Sequence, residues 1–290
     1  MPEPLTIRAM TKAEVGQLVD WAAEEGWNPG LDDATLFWSA DPQAFIAAEL
    51  GGELIGGGAI TAYGEQFGFM GFFIVKPAFR GHGFGNQLWH ARRDRLRARL
   101  GAGATIGMDG VFDMQPYYAK GGFAFSHRDI RYCAVVPSGG LSTAARVPNV
   151  VSLGEVPFEQ LATYDRRAFP AARDDFLRAW ISQPSSVALG FRGTRGLRGY
   201  GVIRQCREGY KVGPLFADDV GVAEALLTSL SVVAAGGPMF LDTPENNPDA
   251  LALARKYRMD DVFGCARMYW GPSPDIDHEK VFGVTTFELG

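Results

Sequence analysis

The period of apolar and polar positions changes along this chain, and each change marks an element. Residues 5–10 read as a strand. Thr11 then offers an N-cap, Glu14 completes a capping box, and Val15, Leu18, Val19 and Ala22 recur at helical spacing, so a helix is predicted through Glu25. Gly26-Trp27-Asn28-Pro29-Gly30 breaks it, and Asp32 or Asp33 opens a short helix around residues 36–38. Strands follow at 44–50, 54–63 and 68–75, the first two joined by the Gly51-Gly52 turn. A helix then runs to about Leu100, with Leu88, Leu96 and Leu100 inward. Its Arg92, Arg93, Arg95, Arg97 and Arg99 read as a solvated face. A strand at 104–110, a helix at 115–120 and a strand at 123–136 close a series βααβββαβαβ.

The stretch after Pro137 is small, polar and rich in Pro and Gly, so residues 138–148 read as a linker. Beyond it the order repeats: a strand at 150–153, helices at 158–167 and 173–181, and strands at 187–192, 198–204 and 210–216. A helix at 220–234, a strand at 239–241, a helix at 248–257 and a strand at 262–269 follow. No residue-level repeat is visible, so the expectation of tandem copies rests on element order. The fold class is then α/β (α+β), each copy a mixed, mostly antiparallel sheet flanked by helices. The expected domains are 1–137 and 149–290. The apolar, β-branched tail 281–289 reads as a packed strand.

Composition narrows the function classes. The 290 residues have room for one large domain or two ordinary ones, and 47% apolar with 21% charged residues is globular. A net charge of −5 argues against a nucleic-acid partner and is compatible with a small cationic substrate. Cys133, Cys206 and Cys265 are widely spaced without a C-x-x-C pair, which points to a reducing compartment and to neither disulfides nor zinc. No signal segment and no apolar run of membrane length is seen, so the expected location is the cytoplasm, with no membrane partner.

The densest chemistry lies at residues 75–89. A strand ends at Pro77, and Gly81, Gly83 and Gly85 then lead into a helix. Backbone N–H groups of such a loop, at the positive end of a helix, form a site for a phosphate or pyrophosphate, and Arg80 adds a charged donor. Other phosphate loops fit less well. The third glycine of a dinucleotide fingerprint would fall at Asn86 or Leu88, and no Gly-Lys-Ser/Thr follows.

The string Val75-x-Pro77-x-x-Arg80-Gly81-x-Gly83-x-Gly85 resembles the acetyl-CoA motif of the GNAT superfamily of N-acetyltransferases. The resemblance implies acetyl-CoA as cosubstrate, with no metal. Arg80, Gly81, His82, Gly83, Phe84, Gly85 and Asn86 would hold the pyrophosphate, and the main chain of Phe73, Ile74 and Val75 would pair with the pantetheine arm. Tyr117-Tyr118-Ala119-Lys120-Gly121-Gly122-Phe123 resembles the superfamily's Tyr-x-x-x-Gly-Phe box, which puts Tyr118 where a tyrosine protonates departing CoA; Tyr117 is one residue out of register. Many members carry a basic carboxylate on the strand before the glycine loop. Residues 68–75 have none, which leaves Glu65 and Asp109 as candidates acting through water. Trp27 and Asn28 lie in the loop that covers the acceptor site in that fold.

In the second half the matching loop is Ala217-Asp218-Asp219, whose carboxylates repel a phosphate, so that half is expected to have lost acetyl-CoA binding. With Arg267-Met268-Tyr269 and the tail, it resembles the atypical C-terminal domain of bacterial two-domain GNAT proteins. The implied activity is acetyl transfer to a small primary amine such as a polyamine, amino acid or amino sugar. Asp218, Asp219, Asp242 and Glu245 slightly favour a cationic one. A non-catalytic acyl-CoA sensor or scaffold and a protein-lysine acetyltransferase are the alternatives, and a homodimer is left open.

Overall fold

The computed structural model describes residues 4–142 and 147–290; residues 143–146 of the expected linker lie outside them. The first half contains β1 (Leu5–Ala9), α1 (Lys12–Glu24), α2 (Asp33–Ala40), β2 (Phe45–Leu50), β3 (Glu53–Tyr63), β4 (Phe67–Val75), α3 (Phe84–Arg99), β5 (Thr105–Val111), α4 (Gln115–Lys120) and β6 (Ala124–Val135). The second contains β7 (Val150–Ser152), α5 (Phe158–Asp165), α6 (Asp174–Ile181), β8 (Ser186–Gly193), β9 (Gly196–Gln205), β10 (Tyr210–Ala217), α7 (Val220–Ser231), β11 (Pro238–Pro244), α8 (Pro248–Lys256) and β12 (Asp260–Trp270). A short β13 (Val281–Gly283) follows. The two series match element for element, each a mixed and mostly antiparallel sheet flanked by helices. Local chemistry sets many of the boundaries. The Thr11–Glu14 capping box forms at α1, with the Thr11 N–H donating to the Glu14 carboxylate at 2.7 Å.

The strands join one sheet in the order β1-β2-β3-β4-β5-β12-β6-β11-β10-β9-β8-β7, with β13 attached to β10. The halves exchange their last long strands. β12 lies between β5 and β6, antiparallel to both, and β6 pairs on its other edge with β11. An uncovered strand edge leaves a row of unpaired backbone groups. Here each half covers the edge that the other leaves.

Packing joins the halves as firmly as pairing does. One apolar core draws on α1, α2, β2 and β4 together with Phe176, Trp180 and Val202. Within it the Phe37 ring of α2 stacks on Trp180 of α6, 6.2 Å between centroids. Buried ion pairs cross the same boundary: Asp33 with Arg204 at 3.1 Å, Arg131 with Asp242 at 2.6 Å, and Asp109 with Arg267 at 2.6 Å. Losing one partner of such a pair strands a buried charge.

Two expectations are corrected. Three of the five arginines of α3 do not lie on a solvated face, while Arg97 is exposed as expected. Arg92 is fully buried, and its Nη2 donates to the carbonyls of Ala59, at 2.7 Å, and Gly71. Arg95 reaches the Ile7 carbonyl at 2.6 Å, and Arg99 reaches Asp41 at 2.6 Å. Long arginine stems lie along the sheet, and their forks find strand carbonyls and the Asp41 carboxylate. The tail is a strand only over Val281–Gly283, but all of residues 281–290 are buried. Tyr63 donates to the Leu289 carbonyl at 2.9 Å, and Arg173 to the Thr285 hydroxyl at 3.0 Å.

Candidate active site

β4 and β5 are parallel neighbours that pair only at Phe67–Thr105, Gly68–Ile106 and Phe69–Gly107, then diverge. Opposite the divergence, the register of β4 on β3 shifts between Gly57 and Ala59, and Phe72 adopts φ +45°. A bulge of this kind bends a strand and re-aims it. At Ile74 and Val75 the strand keeps β3 on one side, and from Phe73 to Val75 no strand among the described residues lies on the other. That open edge suits an extended ligand that pairs like an added strand. Arg92 fills the hollow behind the bulge, where Gly58 leaves room for its guanidinium. Burial lowers the Arg92 pKa to about 10, so it stays a cation at neutral pH.

The open edge runs into the glycine loop. Gly81 and Gly83 have φ of +81° and +83°, in the left-handed region that favours glycine, and nothing lies within 4 Å of where a Cβ would be. Gly83 is the N-cap of the 16-residue helix α3, whose first N–H groups point out of the helix. Uncrowded donors at a helix N-terminus fit the pyrophosphate of an acyl-CoA. Arg80 braces the loop: its Nε donates to the Val75 carbonyl at 2.7 Å, and its fork pairs with Glu25 at the end of α1. The His82 and Phe84 rings sit 6.1 Å apart, and neither lines the cavity. Asn86 accepts the Tyr117 hydroxyl at 2.9 Å.

A cavity of about 490 Å³ occupies the opening between β4 and β5. Trp89, Arg92, Met108 and Tyr118 line its α3 side; Trp27, Asp109, Phe263, Phe287 and Glu288 line the opposite side. Tyr118 is 4% exposed, its ring 5.0 Å from that of Trp89. Among the described residues no hydrogen bond holds its hydroxyl, whereas Tyr117 is tied to Asn86. Burial pushes the Tyr118 phenol up to about 12, against the pull of Arg92, so it carries its proton throughout the neutral range.

Asp109, on β5, reaches the cavity, while Glu65 lies exposed in the turn before β4 and away from it. Both Asp109 oxygens accept from Arg267, at 2.6 and 2.7 Å. Burial raises the Asp109 pKa above the ordinary carboxylate range; Arg267 opposes the rise and the nearby Asp129 adds to it. Trp27 reaches the cavity. The Asn28 side chain does not: its amide donates to the Glu208 carbonyl and accepts from the Glu208 N–H, both at 2.9 Å. Arg131 and Lys211 hold the same loop through the Trp27 and Asn28 carbonyls, at 2.8 and 3.0 Å. Glu288 escaped the sequence reading. Its one signal is a lone carboxylate in an otherwise uncharged, buried tail.

The second half repeats the framework without the opening. β10 shifts register on β9 between Val212 and Leu215, as β4 does on β3. Its freed edge is taken by β13, with Leu215 opposite Gly283 and Phe216 opposite Val281. Asp219 caps α7, accepting from the Val222 N–H at 3.0 Å, and Asp218 accepts from the Tyr164 hydroxyl at 3.1 Å. Asp242 is paired with Arg131, and Glu245 accepts the Arg128 N–H at 3.0 Å; none of these four carboxylates lines the cavity. Among the described residues no group of three or more His, Cys, Asp or Glu is arranged to hold a metal ion, and no helix is long and apolar enough to cross a membrane.

Comparison with known proteins agrees with this division. Residues 12–123 match the model of the acetyltransferase (GNAT) family, and residues 161–283 match that of an acetyltransferase (GNAT) domain. A holothin acyltransferase from a Pseudoalteromonas species is 24% identical over 272 residues, covering 93% of this chain and 90% of that protein. A candidate acetyltransferase of Pyrococcus horikoshii has the same fold, with a TM-score of 0.83 at 23% identity over 99% of this chain and 96% of the other. A tandem GNAT protein of the clavulanic acid biosynthesis pathway superposes with a TM-score of 0.66 at 16% identity, over 93% of this chain and 100% of its own.

Proposed function

This chain belongs to the GNAT superfamily of acetyltransferases, with two GNAT-like halves, and on that premise we propose that it is an acyl-CoA-dependent N-acyltransferase working in its first half. Acetyl-CoA is the proposed donor and a small primary amine the acceptor. One observation carries the reading: an open β4 edge leads into a glycine-capped helix and is flanked by a buried phenol that, among the described residues, has no hydrogen-bond partner.

The bound acyl-CoA supplies an activated thioester carbonyl and a thiol leaving group. The main chain of Phe73, Ile74 and Val75 orients the pantetheine arm, and the N–H groups of residues 81–86 take the pyrophosphate. Tyr118 holds a proton at its hydroxyl for the departing sulfur. A phenol at about 12 is a weaker acid than a free tyrosine. The same apolar surroundings raise a thiol as well, which narrows the difference between them. Tyr117, committed to Asn86, is out of place for this role.

A small acceptor is favoured over a protein lysine because both halves wall the acceptor side of the cavity, through Trp27, Phe263, Phe287 and Glu288. The name of the Pseudoalteromonas relative, an acyltransferase acting on holothin, supports a small-molecule acceptor too. The three cysteines form no disulfide, consistent with a reducing cytoplasm as the setting.

The test is CoA release over a panel of amines, repeated with Tyr118→Phe. Turnover is expected for the parent protein. The variant should lose about 10²–10⁴-fold in kcat, the scale of general acid catalysis, with acetyl-CoA affinity unchanged. A protein that binds acetyl-CoA and releases no CoA with any amine would be a sensor or scaffold.

A further inference from the structure

We propose that Glu288, delivered into the first half's cavity by the tail of the second, takes the proton of the acceptor's ammonium group, and that the acceptor is a primary amine on an aromatic frame. The inference rests on the acyl-transfer reading above and names its missing base and its acceptor class.

β4 brings no carboxylate to the cavity, but the tail crosses β4 at its bulge. A Cβ at Gly71 would overlap the Glu288 carbonyl, so the crossing needs glycine there. Glu288 is 2% exposed and lines the cavity. One of its oxygens takes the Thr286 hydroxyl, whose oxygen accepts the Glu288 N–H at 3.1 Å.

What sets it apart is the absence of a cation in direct contact. Asp33, Asp109, Asp165 and Asp242, all buried, each hold an arginine at 2.6 to 3.1 Å. Among the described residues Glu288 forms no ion pair. The charged groups around it are already engaged. Arg131 and Arg204 feel its charge but hold Asp242 and Asp33. Lys211 feels it and donates to the carbonyls of Trp27 and Asn28. On the same side of the cavity Asp109 is held by Arg267, and Glu25, which also lines the cavity, by Arg80. Lys211 is a nearby cation without a carboxylate partner of its own, but a buried carboxylate is favoured further by a cation in direct contact, which a bound ammonium supplies.

The walls beside Glu288 select what carries that ammonium. Phe263 and Phe287 stand 6.2 Å apart, with Trp27 on the same side of the cavity. Three rings favour a flat apolar frame by stacking, and the Phe263 and Phe287 rings already carry the Arg131 guanidinium, 5.4 and 5.0 Å from their centres. A polyamine would leave its further charges against these rings without partners.

The proton account closes. The ammonium gives its first proton to Glu288, which passes it to bulk water. The neutral nitrogen then forms the C–N bond as the C–S bond breaks. The second nitrogen proton leaves through cavity water, and water returns to Tyr118 the proton that the sulfur takes from it, so the sum is amide and free thiol.

The experiment compares the full-length protein with Glu288→Gln and Glu288→Asp, using acetyl-CoA with tryptamine, phenethylamine or spermidine. The two aromatic amines should be better substrates than spermidine. Glu288→Gln should lower kcat/KM at pH 7 by about 10²-fold or more, the scale of general base catalysis, and the loss should shrink as rising pH supplies neutral amine. Glu288→Asp should recover part of the rate, and acetyl-CoA affinity and Tm should match the parent in both variants. Unchanged turnover in Glu288→Gln, or a parallel loss of Tm and acetyl-CoA binding, would overturn the assignment. Faster turnover of spermidine would overturn the aromatic frame. If the parent protein releases no CoA with any amine, the acyl-transfer reading falls and this inference with it.

Discussion

β4 and β10 hold equivalent places in the two halves, and each breaks register with the strand before it; one then stands open and the other is covered. Beside β4 the sheet splays into a cavity that ends at Gly81 and Gly83. Beside β10 the chain's own β13 lies along the freed edge, and Asp218 and Asp219 stand where the glycines would be. The helix entrances differ in the same sense. α3 starts at a glycine with no side-chain cap and bare N–H groups, whereas α7 starts at an aspartate that already uses them. One framework therefore presents either a ligand site or a packed interior, depending on whether the chain itself satisfies its backbone donors. The covering segment also serves the other half, since residues 284–290 continue from β13 to the wall of the first cavity.

The comparison breaks most severely if the halves are separated. A chain ending at Pro137 lacks β12, leaving β5 and β6 with open edges, and lacks the tail that crosses β4 at Gly71. It should yield no cooperatively folded protein, read by soluble yield and thermal melting. A soluble fragment with a sharp melt would show that the exchange of strands is dispensable.

Next in size is the ligand site itself. Gly83→Asp places a carboxylate at a left-handed N-cap and should abolish acetyl-CoA binding in calorimetry, where the parent chain should bind one molecule. Two sites per chain would mean that β10 opens in solution.

Arg267→Met tests the seam between the halves. It strands the Asp109 carboxylate in a buried setting, an effect of about 3–5 kcal/mol when one partner of a buried pair is removed. A carboxyl whose folded pKa is raised binds its proton more tightly folded than unfolded, so its contribution to stability falls as pH rises from the ordinary carboxylate range to the raised value. The deficit of the variant in chemical denaturation should therefore be smaller at pH 5 than at pH 8. An equal deficit at both would separate Asp109 from the effect.

The smallest expected change sharpens the contrast at the helix entrances. Asp219→Ala removes the α7 cap and should destabilise by about 1 kcal/mol. Acetyl-CoA affinity should not move, because the site is in the other half.

Sequence alone determined the elements whose cause is local. The capping box of α1, the glycine entrance to α3 and the order of strands and helices in each half all follow from neighbours within a few residues. Tyr118 and Tyr117 differ along the chain only in register, and the structure adds that Tyr118 lines the cavity while Tyr117 is tied to Asn86. Tertiary structure decided what depends on distant partners. Five arginines at near-alternate positions on α3 read as solvated from their spacing, yet carbonyls of β1, β3 and β4 take up Arg92, Arg95 and Arg99. Asn28 read as a binding residue because its loop is unusual, but its partner, Glu208, is 180 positions away. Which half β12 and Glu288 would serve could not be read along the chain. A strand edge is completed by whichever strand reaches it, and a buried carboxylate is placed by the packing of the tail around it.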